Sequence, residues 1–233
     1  MAHGMTDPNR LAEMARAKLR NKIPQLRLAF EGRFEERHRF QLRELLDQLQ
    51  FLDDKIAEFA QQIQERSQPY ADRIQRLMTI PGVDRITASS LLAEIGDDMN
   101  QFPTADHLAS WAGICPGNNE SAGKQYSGKT HKGSRWLRRV LCQAAWAASH
   151  TKKTYLAALY RRLAARRGKQ RAIVAVAHSI LVAAYYILNR NENYREVGGN
   201  YFEKKNPDGL RRYLVRRLER LGHKVVLQVP GTA

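Results

Sequence analysis

Between Glu120 and Glu192 this 233-residue chain has no aspartate or glutamate, although 15 lysines and arginines fall in the same stretch. That absence excludes a self-contained carboxylate metal site there, because the Mg²⁺ ions of many nucleases and transposases are held by clustered acids. Cysteine is almost as scarce. Cys115 and Cys142 lie in different segments and match no metal-ligand spacing. With no signal peptide at the start, they read as reduced thiols of a soluble, cytoplasmic protein. The seven histidines are scattered, which leaves no metal site of the His or Cys kind. Long apolar runs are lacking too. The one worth testing, residues 172–188, has 17 positions, contains His178 and Ser179, and opens beside Arg171. It is at the short edge for crossing a bilayer, so a core helix carrying a packed histidine is expected, and no membrane partner.

Positive charge is abundant. The net charge is +16, with hydrophobic residues at 43% and charged residues at 27%. The apolar share suits a folded core, and the charge seeks a polyanion, DNA or RNA first. Residues 1–103 sum to −1 and residues 104–233 to +17. A surface that is merely solvated intersperses both signs; this one reads as a phosphate-binding face. Charge alone would also fit an RNA- or ribosome-binding protein.

The expected fold is all-α. Residues 1–68 form a helical arm and 69–233 a compact helical domain. Residues 9–29 read as one amphipathic helix punctuated by Pro24. Leu42, Leu45, Leu49, Leu52, Ile56, Phe59 and Ile63 then alternate spacings of three and four, a heptad seam that wants a partner helix. The partner is either the domain itself or another helix in a coiled coil that makes a homo-oligomer. Pro69 closes the element. A short helix at 70–78, the turn Ile80-Pro81-Gly82-Val83 and a helix at 87–96 resemble a helix-hairpin-helix module. In such a module Gly82 lets backbone N–H groups approach a phosphate, although Pro-Gly turns also join purely structural helices. A short helix follows at 104–112, with Thr104 as its cap and Trp111 on its inner face. The stretch 113–133 is Gly-rich and aperiodic, a loop or irregular hairpin. Helices are expected at 134–149, 154–167, 169–188 and 207–221, with a possible short strand at 225–229.

What chemistry fits such a surface? Glu94, Asp97 and Asp98 precede it and read as ordinary surface acids. Ser121, Ser127 and Ser134 sit among Lys124, Lys129, Lys132, Arg135, Arg138 and Arg139. A serine attacking a phosphodiester must lose its proton, and close cations stabilise the added phosphoryl charge. A loop that only grips phosphate explains the same composition. Arg161, Arg162, Arg166, Arg167 and Lys169 extend the basic surface downstream.

The residues from Trp111 to Lys124 (Trp-Ala-Gly-Ile-Cys-Pro-Gly-Asn-Asn-Glu-Ser-Ala-Gly-Lys) and from Gly128 to Arg139 (Gly-Lys-Thr-His-Lys-Gly-Ser-Arg-Trp-Leu-Arg-Arg) carry a specific likeness. With Ile80-Pro81-Gly82-Val83, Tyr155, Tyr160-Arg161-Arg162-Leu163-Ala164, Arg166-Arg167-Gly168-Lys169 and Tyr194-Arg195-Glu196, they resemble the C-terminal domain of the DEDD transposases. These are insertion-sequence enzymes related to the Piv invertase, now known as bridge-RNA-guided recombinases. The resemblance implies a serine nucleophile within a Ser-Gly-Gly-like motif, which maps onto Ser121-Ala122-Gly123, with Ser127 second. It implies Mg²⁺ held not by this chain but by an N-terminal RuvC-like domain, for which residues 1–40 offer no strand. A chain of this kind is expected to be a truncated, fragmentary or split protein, inactive alone. Its partners would be transposon-end and target DNA and a guide RNA. The other reading is a noncatalytic remnant that only grips nucleic acid and dimerises.

Overall fold

Pro24 decides the first elements. A proline inside a helix removes a donor and clashes with the carbonyl four residues earlier, so one helix over 9–29 does not form. The computed structural model, which describes residues 5, 7–32, 35–115, 119–127 and 130–227 and the backbone alone at 119–121 and 125–127, has instead a break here. Helix α1 is Pro8–Glu13, a 3-10 segment covers Ala17–Lys22, and α2, Ile23–Phe30, starts afresh with Pro24 in its first turn. A second interruption lies seven residues upstream of Pro24, where Ala17 takes a positive φ of 48° as the 3-10 segment begins. Helix α3, Glu36–Ser67, is a single 32-residue rod. Glu35 and His38 form a reciprocal cap at its start. No residue of α3 is buried, and the heptad positions are open, from 37% at Leu42 to 65% at Ile56.

The chain divides into two compact units, Met1–Gln68 and Pro69–Ala233. The second is built on helices α4 (Ala71–Leu77), α5 (Arg85–Ile95), α6 (Ala105–Trp111), α7 (Arg135–His150), α8 (Tyr155–Arg167) and α9 (Lys169–Arg190), followed by α10 (Tyr201–Lys205) and α11 (Pro207–Arg220). Side-chain oxygens cap five of these helices, Asn206 doing so for α11 by accepting from Gly209 N. Asp84 accepts from Thr87 N, Thr104 from His107 N, Ser134 from Leu137 N and Thr154 from Ala157 N. Each such cap is worth about 1 kcal/mol.

Helix α9 is the hub, packed by α4, α6, α7 and α8. Val176, Ala177, Ile180, Leu181 and Ala184 are fully buried along it. It is the one helix among the described residues long and apolar enough to cross a membrane, and half of its apolar stretch is buried in the protein. The only strands described are β1 (Asn119–Ser121) and β2 (Lys124–Ser127), an antiparallel ribbon. Residues 225–227 form no strand, and 228–229 lie outside the described residues. Trp111 does not face inward: it is 49% exposed and leans on Phe102, ring centres 5.5 Å apart. The buried face of α6 is Ala105, Leu108 and Ala109, and at 100° per residue Trp111 lies about 110° from the centre of that face.

Candidate functional site

The segment between α6 and α7 leaves and rejoins the helical body at one point. Gly113 has φ +68°, and a Cβ there would lie 2.7 Å from Gly133 N. A Cβ on Gly133 would lie 2.4 Å from the Ala112 carbonyl. Only two glycines allow the strand-like ends to meet this closely. The Arg138 guanidinium ties both ends, donating to the Gly113 carbonyl and to the His131 carbonyl at 3.0 Å. Arg138, expected among the phosphate-binding cations, therefore already has backbone partners.

Beyond that base stands the ribbon. Ser121 pairs with Lys124, Glu120 with Gln125, and Asn119 with Ser127, with a register shift between the last two pairs. The two-residue turn is Ala122-Gly123, with φ +50° and +74°. Two positive φ values are the mark of the type I′ hairpin turn. Glycine meets this freely, whereas alanine in the left-handed region costs about 1–2 kcal/mol. The turn separates the two candidate nucleophiles. Ser121 adjoins the tip beside exposed Lys124, and Ser127 pairs at the other end of the ribbon. Lys129 lies outside the described residues.

The third serine has a different role. Ser134 Oγ accepts from Leu137 N and donates to Glu94 Oε2 at 2.8 Å, joining α5 to the start of α7. Glu94 is thus a half-buried partner and not an ordinary surface acid. Asp97 pairs with Arg73, and Asp98 accepts from Asn100 N. Among the described residues no group of three His, Cys, Asp or Glu could hold a metal ion. With Glu94, Asp97 and Asp98 each held by another partner, these three acids do not fit a Mg²⁺ site.

Lys124, Lys132, Arg135 and Arg139 are exposed around the ribbon and the start of α7; Arg161, Arg162, Arg166, Arg167 and Lys169 are exposed at the α8–α9 junction. Among the described residues no carboxylate forms an ion pair with any of the nine. No hydrogen bond or ring contact among the described residues links the two groups. Arg166 and Arg167 have a local rationale as well, since cations in the last turn of a helix favour its dipole. Arg162 also sits 4.9 Å over the Phe202 ring.

Gly82 is placed against α7. A Cβ there would lie 2.5 Å from Ala144 O and Ala148 N. In the first turn of α5 the Thr87 N–H donates to the Asp84 carboxylate, which is held below its usual pKa by its hydrogen bonds to Thr87. The glycine thus has a packing reason, and an acid sits where a phosphate would. Cys115 and Cys142 are both half-buried and free. Burial pushes both thiols up, with the Asp106 charge adding to the effect at Cys115 and Arg138 opposing it at Cys142.

Two features escaped the sequence reading. Glu196 accepts from Tyr155 N at 2.8 Å and from Gly198 N at 2.7 Å. It thereby places a carboxylate on the positive end of α8 and gives the Tyr-Arg-Glu motif a structural role. The other is on α7. Leu137, Leu141, Ala144, Ala145 and Ala148 form its buried face, while Trp136 and Trp146 are 69% and 53% exposed. Turning the α7 sequence at 100° per residue would have put both indoles opposite the core.

The ribbon and the helices on either side of it lie in a region with transposase relatives. Residues 74–161, from α4 into α8, match the family model described as Transposase IS116/IS110/IS902 family, and the chain carries that family's domain. It is 40% identical over 105 residues to a "Probable family 20 transposase" of Pseudomonas aeruginosa, covering 45% of this chain and 30% of the relative. It is 33% identical over 147 residues to the transposase for insertion sequence element IS1111A of Coxiella burnetii, covering 61% and 40%. With the pilin gene-inverting protein of Moraxella bovis it shares 29% over 125 residues, covering 52% and 38%. The chain spans between 30% and 40% of the length of these three relatives.

Proposed function

We propose that this chain is the DNA-gripping, serine-bearing part of an insertion-sequence transposase or recombinase, with Ser121 as the nucleophile. The observation that carries the reading is the ribbon: a positive-φ turn adjoining Ser121, on a base pinned by Gly113, Gly133 and Arg138, inside the region that matches the family. Attack by the Ser121 hydroxyl on a phosphodiester joins Oγ to phosphorus, releases one DNA hydroxyl and passes the serine proton to a base. Lys124, Lys132, Arg135 and Arg139 offset the charge that collects on the phosphoryl oxygens. The Mg²⁺-binding carboxylates belong to a RuvC-like domain acting with this one. The DNA partners are element ends and target, a guide RNA is the further partner, and α3 joins copies through its heptad seam. The name of the Moraxella relative favours inversion as the outcome, and that of the Coxiella relative favours transposition.

Trapping tests the reading. Labelled element-end DNA, incubated with this chain, a RuvC-like partner and Mg²⁺, is expected to give a covalent protein–DNA adduct. Ser121→Ala abolishes it and Ser127→Ala does not. If no adduct forms while DNA binding persists, the chain is a noncatalytic grip.

A further inference from the structure

Helix α7 carries a second face whose composition suits neither packing nor simple solvation. Directly opposite its buried leucines and alanines lie Trp136, Arg139, Gln143, Trp146 and His150, all exposed. At 100° per residue these five fall within an arc of about 80°. A large indole left in water at 69% exposure forgoes most of its burial free energy, and here two share one stripe. The Trp146 ring is steadied by His150, edge-on with centres 4.7 Å apart, and His150 Nδ1 lies 2.8 Å from the Trp146 carbonyl oxygen. Arg135 and Arg139 flank Trp136, and Arg139 lies between the two indoles without an acidic partner among the described residues.

Aromatic faces alternating with cations are what unpaired nucleobases on a phosphate backbone require. The π-faces take bases of any identity, and the cations track the phosphates. A duplex hides its base faces within the stack and cannot use the indoles. Ten residues of helix set the two rings about 15 Å apart along the axis, roughly four stacked nucleotides at about 3.4 Å each.

We infer that the outer stripe of α7 is a stacking site for single-stranded nucleic acid, with Trp136 and Trp146 as base platforms and Arg139 between them on the backbone. The inference rests on the nucleic-acid reading above and adds the strandedness of what this face holds. Three labelled probes are titrated at one fixed salt concentration: oligothymidylate, oligouridylate and a duplex. Each is about 20 nucleotides long, more than the roughly 4–16 that single-strand modules occupy.

The double variant Trp136→Ala/Trp146→Ala is expected to lose single-strand affinity by about 100-fold, about tenfold per indole, with duplex affinity changed less than about twofold. Trp136→Phe/Trp146→Phe recovers most of the loss, and oligothymidylate quenches indole emission in the wild type. The ratio of the two single-strand affinities tells a displaced DNA strand from an RNA. An unchanged helix content and melting temperature exclude misfolding as the cause. Single-strand and duplex affinities that fall together, or neither falling, overturn the stacking site, as when this face docks another protein domain. A wild-type chain that binds none of the three probes overturns the nucleic-acid reading itself.

Discussion

Tyr194 shows how a residue distant in sequence can hold the second unit together. Its backbone N–H donates to Thr79 Oγ1 at 2.8 Å, across 115 positions. Its phenol is pushed up to about 12, first by burial and then by the Glu196 carboxylate and Tyr155. A group whose folded pKa is raised contributes stability that is present below the unfolded value and lost as pH rises through the folded one. Starting from the usual tyrosine value of about 10, the stabilisation should be intact at neutral pH and disappear between pH 10 and about 12. Denaturant melts across that window should show the wild type falling more steeply than Tyr194→Phe. Parallel curves would mean that the phenol does not sense its surroundings in this way.

Among the elements, α3 and the ribbon show what a sequence does and does not disclose. The long helix was legible because its seven apolar positions repeat at three and four with no glycine or proline between them. What could not be read was what that seam packs on; its residues are exposed. If the seam pairs copies, Leu49→Asn with Ile56→Asn should convert a dimer to a monomer by light scattering. Each apolar side chain removed from such an interface forfeits about 1.5–3 kcal/mol. A wild type that is monomeric at every concentration tested would exclude this pairing.

The ribbon was harder to read. Nothing in Asn-Glu-Ser-Ala-Gly-Lys announces a type I′ turn, because Ala122 takes a left-handed backbone that its residue type disfavours. The span 9–29 was misread for a related reason. Its apolar pattern is helical throughout, but Pro24 constrains the backbone independently of pattern.

The asymmetry of charge belongs to the whole molecule. It was visible in the sequence before any fold, since composition needs no coordinates. The sequence could not sort which cations are available. Arg138 resembles its neighbours in every local respect, yet its guanidinium is engaged by two carbonyls, whereas Lys124, Lys132, Arg135 and Arg139 are exposed. That sorting has a measurable form. If about six phosphates are neutralised, log affinity for duplex DNA should fall with log salt at a slope of about −5. Arg139→Ala and Lys132→Ala should each lower the slope by about one. A slope near zero would remove the electrostatic basis of the proposal.

The meeting of Gly113 and Gly133 has a consequence for how such a unit can diversify. With both feet of the 114–132 segment on one mounting, residues added at the 122–123 turn would lengthen it like a boom. Neither α6 nor α7 would shift. Reach toward a substrate is then adjustable at the far end, while the mounting tolerates no side chain at all.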